Sequence, residues 1–515
     1  MPPEKSSPSV ACSHPRLLTT PHPSQSQFSR ASPSRRAAAA TLAGPHRADA
    51  TDARLHGSAT DPRAWASTFP GPLVLRGDDL AMEPRPGGQT VRGWERGRWG
   101  TARSVLGDAL AGEREREARS SVYVVGPPGV DGEGVDGFMR GWDECDVGVG
   151  VGVEGEMGKG MGKGSRYVGK GRGWETGSWI SDVISYLEAF YHGLPVKQLD
   201  PSLLHFAPWE DASPQPSKSK SQSKSTPRSK PPPYISLRTS TFKTGIRFRN
   251  TPSSPFKHQL HLSDLLDLAI DILPGDAHAL LLLVNHDLYE DDDDEFVCGR
   301  AYGGSRVAVV STARYNPGLD ALQRVERAHA WPGSHCAEYA DEVCRVPGKE
   351  ELEGGKRKRG APDQARYAVA GSPLARAVAQ HNLLPLLPRP SSLDIAPDTL
   401  PGLYLSRICR TASHELGHCF GIAHCVYYAC CMQGSASIVE DVRQPPYLCP
   451  VDLAKVVCAT GADVRERYEV LLAFCEARGD VHMFVAFGRW IRGRLEQIKR
   501  VDRDGGGGGG GGRER

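Results

Sequence analysis

Nowhere in this 515-residue chain do apolar residues run for the ~18–20 positions that a membrane-spanning helix needs, so no membrane partner is expected. A charge excess is missing too. The 63 basic and 61 acidic side chains leave a formal net charge of +2, without the basic field that draws a protein to nucleic acid. The opening residues, MPPEKSSPSVACSHPRLL, lack the apolar core of a secretory leader, so the thirteen cysteines are expected in a reducing, intracellular and cytoplasmic setting. Apolar residues make up only 39%, while 58 glycines and 40 prolines gather in clusters. That composition lowers the number of domains to expect and points to one ordered domain with insertions.

Residues 1–64 read as a disordered region. The acid-free, arginine-bearing stretch 5–48 would also suit a mitochondrial transit segment, although its prolines interrupt any amphipathic helix. FPGPLVLRGDDLA (69–81) is the first apolar segment able to pack, and the domain is expected to span 65–500. Near residue 115 a polar helical run leads into a short β-type run, SSVYVVGPP. Flexible insertions are expected near 147–173, 213–233 and 322–370, with a glycine-rich tail at 501–515. The Gly-Lys pairs of 147–173 lack the GxxxxGK[ST] string of a phosphate loop. The tetrad KRKR (356–359) is either a plain basic loop or a nuclear-import signal. Between the insertions the chain alternates strand and helix patterns. YISLRTS, GIRFR, ALLLLVNHDLY (279–289, read as one buried central strand) and RVAVVSTARY (306–315) read as strands. WISDVISYLEAFYHGL, SDLLDLAIDILPGD (with Ser263 as its cap), SPLARAVAQHNLLPLL and the C-terminal runs read as helices.

One stretch carries chemistry: HELGHCFGIAHC, residues 414–425. On a helix His414 and His418 share one face a turn apart, so two imidazoles can hold one metal ion. Glu415 is offset round the helix, where a carboxylate can reach a water on that ion without ligating it. Gly421 falls where the helix must stop, and a left-handed glycine there can return His424 as third ligand. Three nitrogens with one open position describe a catalytic zinc site. HExxH alone would arise by chance in roughly a few of every hundred such chains. Gly421, His424 and then Met432 lift this pattern out of that background.

The longer pattern resembles the archaemetzincins, a family within the metzincin clan of zinc peptidases. Its sequel to the third histidine is matched by Cys425, Cys430, Met432 and Cys449, and DLYEDDDDEFVCGRAYGGSRVAVVSTARYNP upstream is similar to the family's strand-loop-strand. The resemblance covers roughly residues 234–470 well. It implies an α+β zincin-like fold: a mixed twisted sheet, an active-site helix and a helical lower part. It implies that Met432 packs beneath the three histidines, and that a second, structural zinc sits in four cysteine positions. Three of these are Cys425, Cys430 and Cys449; the fourth is Asp452, a harder donor than thiolate. Cys431 or Cys458 could complete the set instead, leaving Asp452 to cap a helix starting at Leu453.

The resemblance further implies hydrolysis of peptide bonds, with Glu415 as general base and short peptides trimmed from the amino terminus. The tyrosine that some metzincins place two residues beyond the methionine is here Gly434. A zinc-stabilised interaction module without turnover is the competing reading. A nucleic-acid finger would need paired CxxC or CxxC/HxxxH ligands and a basic face, which the sequence lacks.

Overall fold

The computed structural model describes residues 28–41, 68–75, 77–84, 87–97, 119–130, 139–145, 178–209, 233–335, 371–383 and 399–506. The polar run near 115, the Gly-Lys stretch 147–173, nearly all of the linker 213–233, the KRKR tetrad and the residues after 506 lie outside them.

The described strands are β1 (Ser121–Val125), β2 (Gly129–Val130), β3 (Val196–Gln198), β4 (His205–Pro208), β5 (Tyr234–Arg238), β6 (Lys243–Asn250), β7 (His258–His261), β8 (Ala277–Val284), β9 (Leu288–Tyr289), β10 (Gly299–Tyr302) and β11 (Val307–Ser311). The helices are α1 (Pro33–Ala39), α2 (Asp79–Met82), α3 (Ser178–Phe190), α4 (Leu262–Asp271) and α5 (Pro373–Leu383). They continue with α6 (Thr399–Cys419), α7 (Ile438–Asp441), α8 (Pro450–Thr460), α9 (Val464–Ala477) and α10 (His482–Gly506). The chain forms two compact units, one of residues 98–324 and 404–421, the other of 1–97, 325–403 and 422–515.

The first unit holds every described strand. One sheet runs β10-β11-β8-β1-β3 and the other β2-β4-β5-β6-β7-β9. In the first sheet all pairs are parallel except β10 with β11. β8, AHALLLLV, is buried at every residue but His278, as a strand covered on both faces requires. α4 buries Leu262, Leu265, Leu266, Leu268 and Ala269 in one core with side chains of both sheets. Arg314 and Asp287, both buried, pair at 2.6 Å, and Gln259 donates to the same carboxylate at 2.8 Å. A buried charge needs that completeness.

The second unit is helical. α5 and α9 both pack on α10. Phe69 stands edge-on to Tyr428, Tyr447 and Trp490, and Tyr447 stacks on Trp490 at 4.4 Å. The 69–81 segment therefore packs as expected, with Phe69, Leu73 and Val74 buried. The α+β class expected from the sequence is the class observed.

Several local readings change. The run 279–289 is two strands, β8 in one sheet and β9 in the other, because the chain bends at the buried His286 and Asp287. α4 is capped by His261, whose Nδ1 accepts from the Asp264 amide at 3.3 Å, and Ser263 lies inside the helix. β7 runs straight into that helix and leaves no turn for Ser263 to cap. Within 1–64, Ser32 caps and Pro33 starts the short alanine-rich α1. Residues 322–335 pack as short turns with Trp331, Ser334 and His335 buried, and α10 extends to Gly506. The acidic run 291–295 is a turn that Asp294 closes by accepting from the Asp291 amide at 2.8 Å. Arg249 braces it by donating to the Asp292 carbonyl at 2.9 Å.

Candidate metal centres

α6 carries the histidine motif, and its unit anchors it firmly. Buried Arg407 donates to Asp320 at 2.7 and 3.0 Å, and the Tyr191 hydroxyl donates to the Ser413 carbonyl at 2.5 Å. Phe420 stacks against Tyr191 and His278 just past the helix end. Gly421 has φ +73° and its amide donates to the His418 carbonyl at 2.9 Å. This is the left-handed stop that the sequence called for.

His414 and His418 point their Nε2 atoms to a common place, 3.1 Å apart. Zinc–nitrogen bonds of ~2.0–2.1 Å at a tetrahedral angle would separate two donors by roughly 3.3 Å. The ligand atoms of His414, His418 and His424 all lie within 4.8 Å of one another, and all three side chains remain partly exposed. Neutral nitrogens at this spacing fit a zinc ion with an open position. Glu415 is 8% exposed and packs over Gly299 on the edge strand β10. A Cβ at Gly299 would meet the Glu415 Cγ at 3.2 Å, and one at Gly303 would meet the His418 carbonyl oxygen at 2.5 Å. Two glycines thus let the edge strand lie close to the motif.

Beyond His424 the chain builds a second cluster. Cys425, Cys430, Cys449 and Asp452 are all buried and bring four ligand atoms within 4.8 Å of one another. The Cys425 and Cys449 sulfurs are 3.6 Å apart, and Asp452 Oδ2 lies 3.3 Å from Cys430 Sγ and 3.4 Å from Cys449 Sγ. Tetrahedral zinc with ~2.3 Å bonds to sulfur and ~2.0–2.2 Å to oxygen asks for roughly 3.8 and 3.5 Å. The set fits zinc. Burial and the neighbouring Cys425 charge push the Asp452 carboxyl up to about 7, against Lys455, which lowers it. Burial also raises the Cys430 and Cys449 thiols; Cys425 is lowered, because hydrogen bonds from Cys430 and Cys449 outweigh its own burial. Like charges crowded together oppose one another's ionisation.

Of the three candidates for the fourth position, Asp452 is the one whose ligand atom lies with the three sulfurs. Cys458 is exposed, and buried Cys431 is outside the four-atom cluster. Asp452 lies inside the first turn of α8, whose cap is Cys449, so no helix starts at Leu453 for it to cap. Buried Cys419 is a core side chain. Met432 is fully buried, and its carbonyl accepts from the Cys425 amide at 2.7 Å, which ties the methionine turn to the chain after His424.

Sequence reading missed Gly434's role. A Cβ there would fall 2.3 Å from Asp79 Oδ2 and 2.8 Å from His424 Nδ1, so the position has no room for a tyrosine. It also missed Gln89 and Lys455. The spacing of Lys455, three residues after Asp452 on one helix, was a usable signal; nothing in the sequence marks Gln89.

Residues 393–456 match the model of peptidase family M54. The chain is similar to archaemetzincin-2 of Macaca fascicularis, 27% identical over 218 residues, which is 42% of this chain and 47% of that protein. It is 24% identical to archaemetzincin-2 of Mus musculus over 298 residues, 58% of each chain. The chain thus spans about half the length of these curated relatives. Among solved structures, an archaemetzincin from Methanopyrus kandleri aligns at 22% identity, covering 40% of this chain and 67% of that one, with a TM-score of 0.22.

Proposed function

We propose that this chain, which belongs to peptidase family M54, the archaemetzincins, is a zinc-dependent peptidase with His414, His418 and His424 as its metal ligands. The observation that carries the reading is the convergence of those three donors beside Glu415. Zinc, when bound there, supplies a Lewis acid that polarises a peptide carbonyl and acidifies water to a pKa of ~7.

The chain's own groups do the rest. Glu415 accepts a proton as the water oxygen bonds to the carbonyl carbon. As the carbon–nitrogen bond breaks, Glu415 delivers that proton to the leaving amine, so water is divided between the two products. Its packing over Gly299 limits its rotamers. Gly434 offers no hydroxyl to the developing oxyanion, so this site manages without that aid.

Asp452, Cys425, Cys430 and Cys449 hold a second, structural zinc in this reading. It staples the turn of Met432 to α8 and thereby fixes the chain that carries His424. Trimming of short peptides from the amino terminus follows from the resemblance to the family.

The test is metal analysis together with cleavage of a short-peptide library having free or acetylated amino termini. Glu415→Gln should keep its zinc and lose at least ~10² in rate, the scale of a lost general base. Undiminished cleavage by that variant would refute the assigned role. Zinc without turnover of any peptide would favour a metal-stabilised interaction module. Equal cleavage of acetylated peptides would refute the amino-terminal preference alone.

A further inference from the structure

Where the family resemblance calls for a fourth thiolate, this chain has Asp452, and the structure surrounds it with partners that a thiolate would not use. Asp452 is fully buried and its two oxygens have separate tasks. Oδ2 faces Cys430 and Cys449, whereas Oδ1 accepts a hydrogen bond from Lys455 Nζ at 2.8 Å. Lys455 is itself only 1% exposed, and its ammonium donates also to Gln89 Oε1 at 2.9 Å. The same Gln89 oxygen accepts from the Ala423 amide at 3.0 Å, which fixes the glutamine from a second side.

We infer that Lys455, held by Gln89, is a positioning residue that makes Asp452 a one-oxygen ligand of the cysteine cluster; the inference rests on that cluster holding a metal ion. A carboxylate can bind a metal through one oxygen or two, and can rotate between them. With Oδ1 engaged by a buried ammonium, Oδ2 is presented to the cluster at the single-donor spacing that a tetrahedral site needs. Lys455 also answers a charge problem. Three thiolates and a carboxylate round a divalent ion leave a net charge of about minus two in a buried site, and one adjacent cation removes half of it. A cysteine at 452 would present a single sulfur without such help. Asp452 and Lys455 therefore act as one unit: an aspartate ligand together with the lysine that orients it.

A double-mutant cycle tests this, with Co²⁺ and Zn²⁺ as probes and a chelator as competitor. Thiolate-to-cobalt charge-transfer absorption reports the cysteine cluster apart from the histidine site. Lys455→Met should lower metal affinity at the cysteine cluster by ~10–100-fold, the usual penalty for losing a partner that orients a ligand. In the Asp452→Cys background the same Lys455→Met change should alter affinity by less than ~3-fold, because no carboxylate remains to be held. A Lys455→Met chain that keeps wild-type affinity at the cluster would overturn the inference. So would an equal loss in both backgrounds, which would mark Lys455 as packing alone. Should the single variant fail to fold, a folded, metal-loaded double variant supports the inference and an unfolded one overturns it. Absence of any thiolate–cobalt band from the unaltered chain would remove the second metal site itself, and the pairing with it, while leaving the three-histidine reading standing.

Discussion

Gly303→Ala is a small change with a large expected effect on the metal helix. Gly303 follows the edge strand β10, and a Cβ there would sit 2.5 Å from the His418 carbonyl oxygen and 3.4 Å from its carbon. Both atoms are backbone, so no side-chain rotation relieves the clash. That oxygen also accepts from the Gly421 amide at 2.9 Å, so the helix end cannot turn aside without losing its own stop. Ordinary contact begins near 3.4 Å, so strand and helix must part by about 1 Å. Overpacking of this kind costs about 1–3 kcal/mol. Because the displaced residue is His418, zinc should also be held roughly 10-fold less tightly, in keeping with the tight tolerance of such sites. Urea unfolding and chelator competition for zinc are the assays, with Gly275→Ala as the internal control. Nothing lies within 4 Å of a Cβ at Gly275, so alanine there should be neutral or stabilise by ~0.4–1 kcal/mol. If Gly303→Ala matched its control in both stability and zinc affinity, the close approach of β10 to the motif would be refuted.

His424→Ala should strip the histidine site of most of its zinc, since two imidazoles on one helix hold the ion far less tightly than three converging donors; full occupancy by metal analysis would show that His424 is not a ligand. Arg314→Met should destabilise its unit by about 3–5 kcal/mol, because Asp287 is then left buried with only Gln259 to serve it; a loss under 1 kcal/mol in urea unfolding would contradict that. Asp264 titrates below the usual carboxylate range: burial raises it, but hydrogen bonds from His261 and Arg247 more than offset that. Its stabilisation is complete above the ordinary carboxylate pKa and fades as pH falls towards the depressed folded value. Asp264→Asn should therefore be less stable at pH 7 and lose less between about pH 4 and pH 2, with an unchanged acid limb of the stability curve as the refuting result.

The legible part of this protein is the part that depends on near neighbours in the chain. His414 and His418 share a face because a helix turns every 3.6 residues, and Gly421 ends that helix because it alone there adopts a left-handed turn without strain. Likewise β8 announces itself as a buried strand by an unbroken run of apolar residues. What pairing and packing decide was not legible. Ser263 looked like a cap until β7 brought His261 to the helix start, and 279–289 looked like one strand until hydrogen bonds sent β8 and β9 to different sheets.

The two centres divide in the same way. Sequence by itself determined the candidate donor types, their spacing and the Asp452 departure, since a metal motif is a local arrangement of donors with the turns between them. Only the tertiary structure brings Asp452, and neither Cys431 nor Cys458, within 4.8 Å of the three cysteine sulfurs, because donor convergence is a matter of distance and not of sequence position. Only it set Gln89 against Lys455, 366 residues away, and laid Gly303 on the carbonyl of His418. Contacts between segments so far apart exist only once folding has offset the entropy of closing the loop between them, and no local pattern records the outcome.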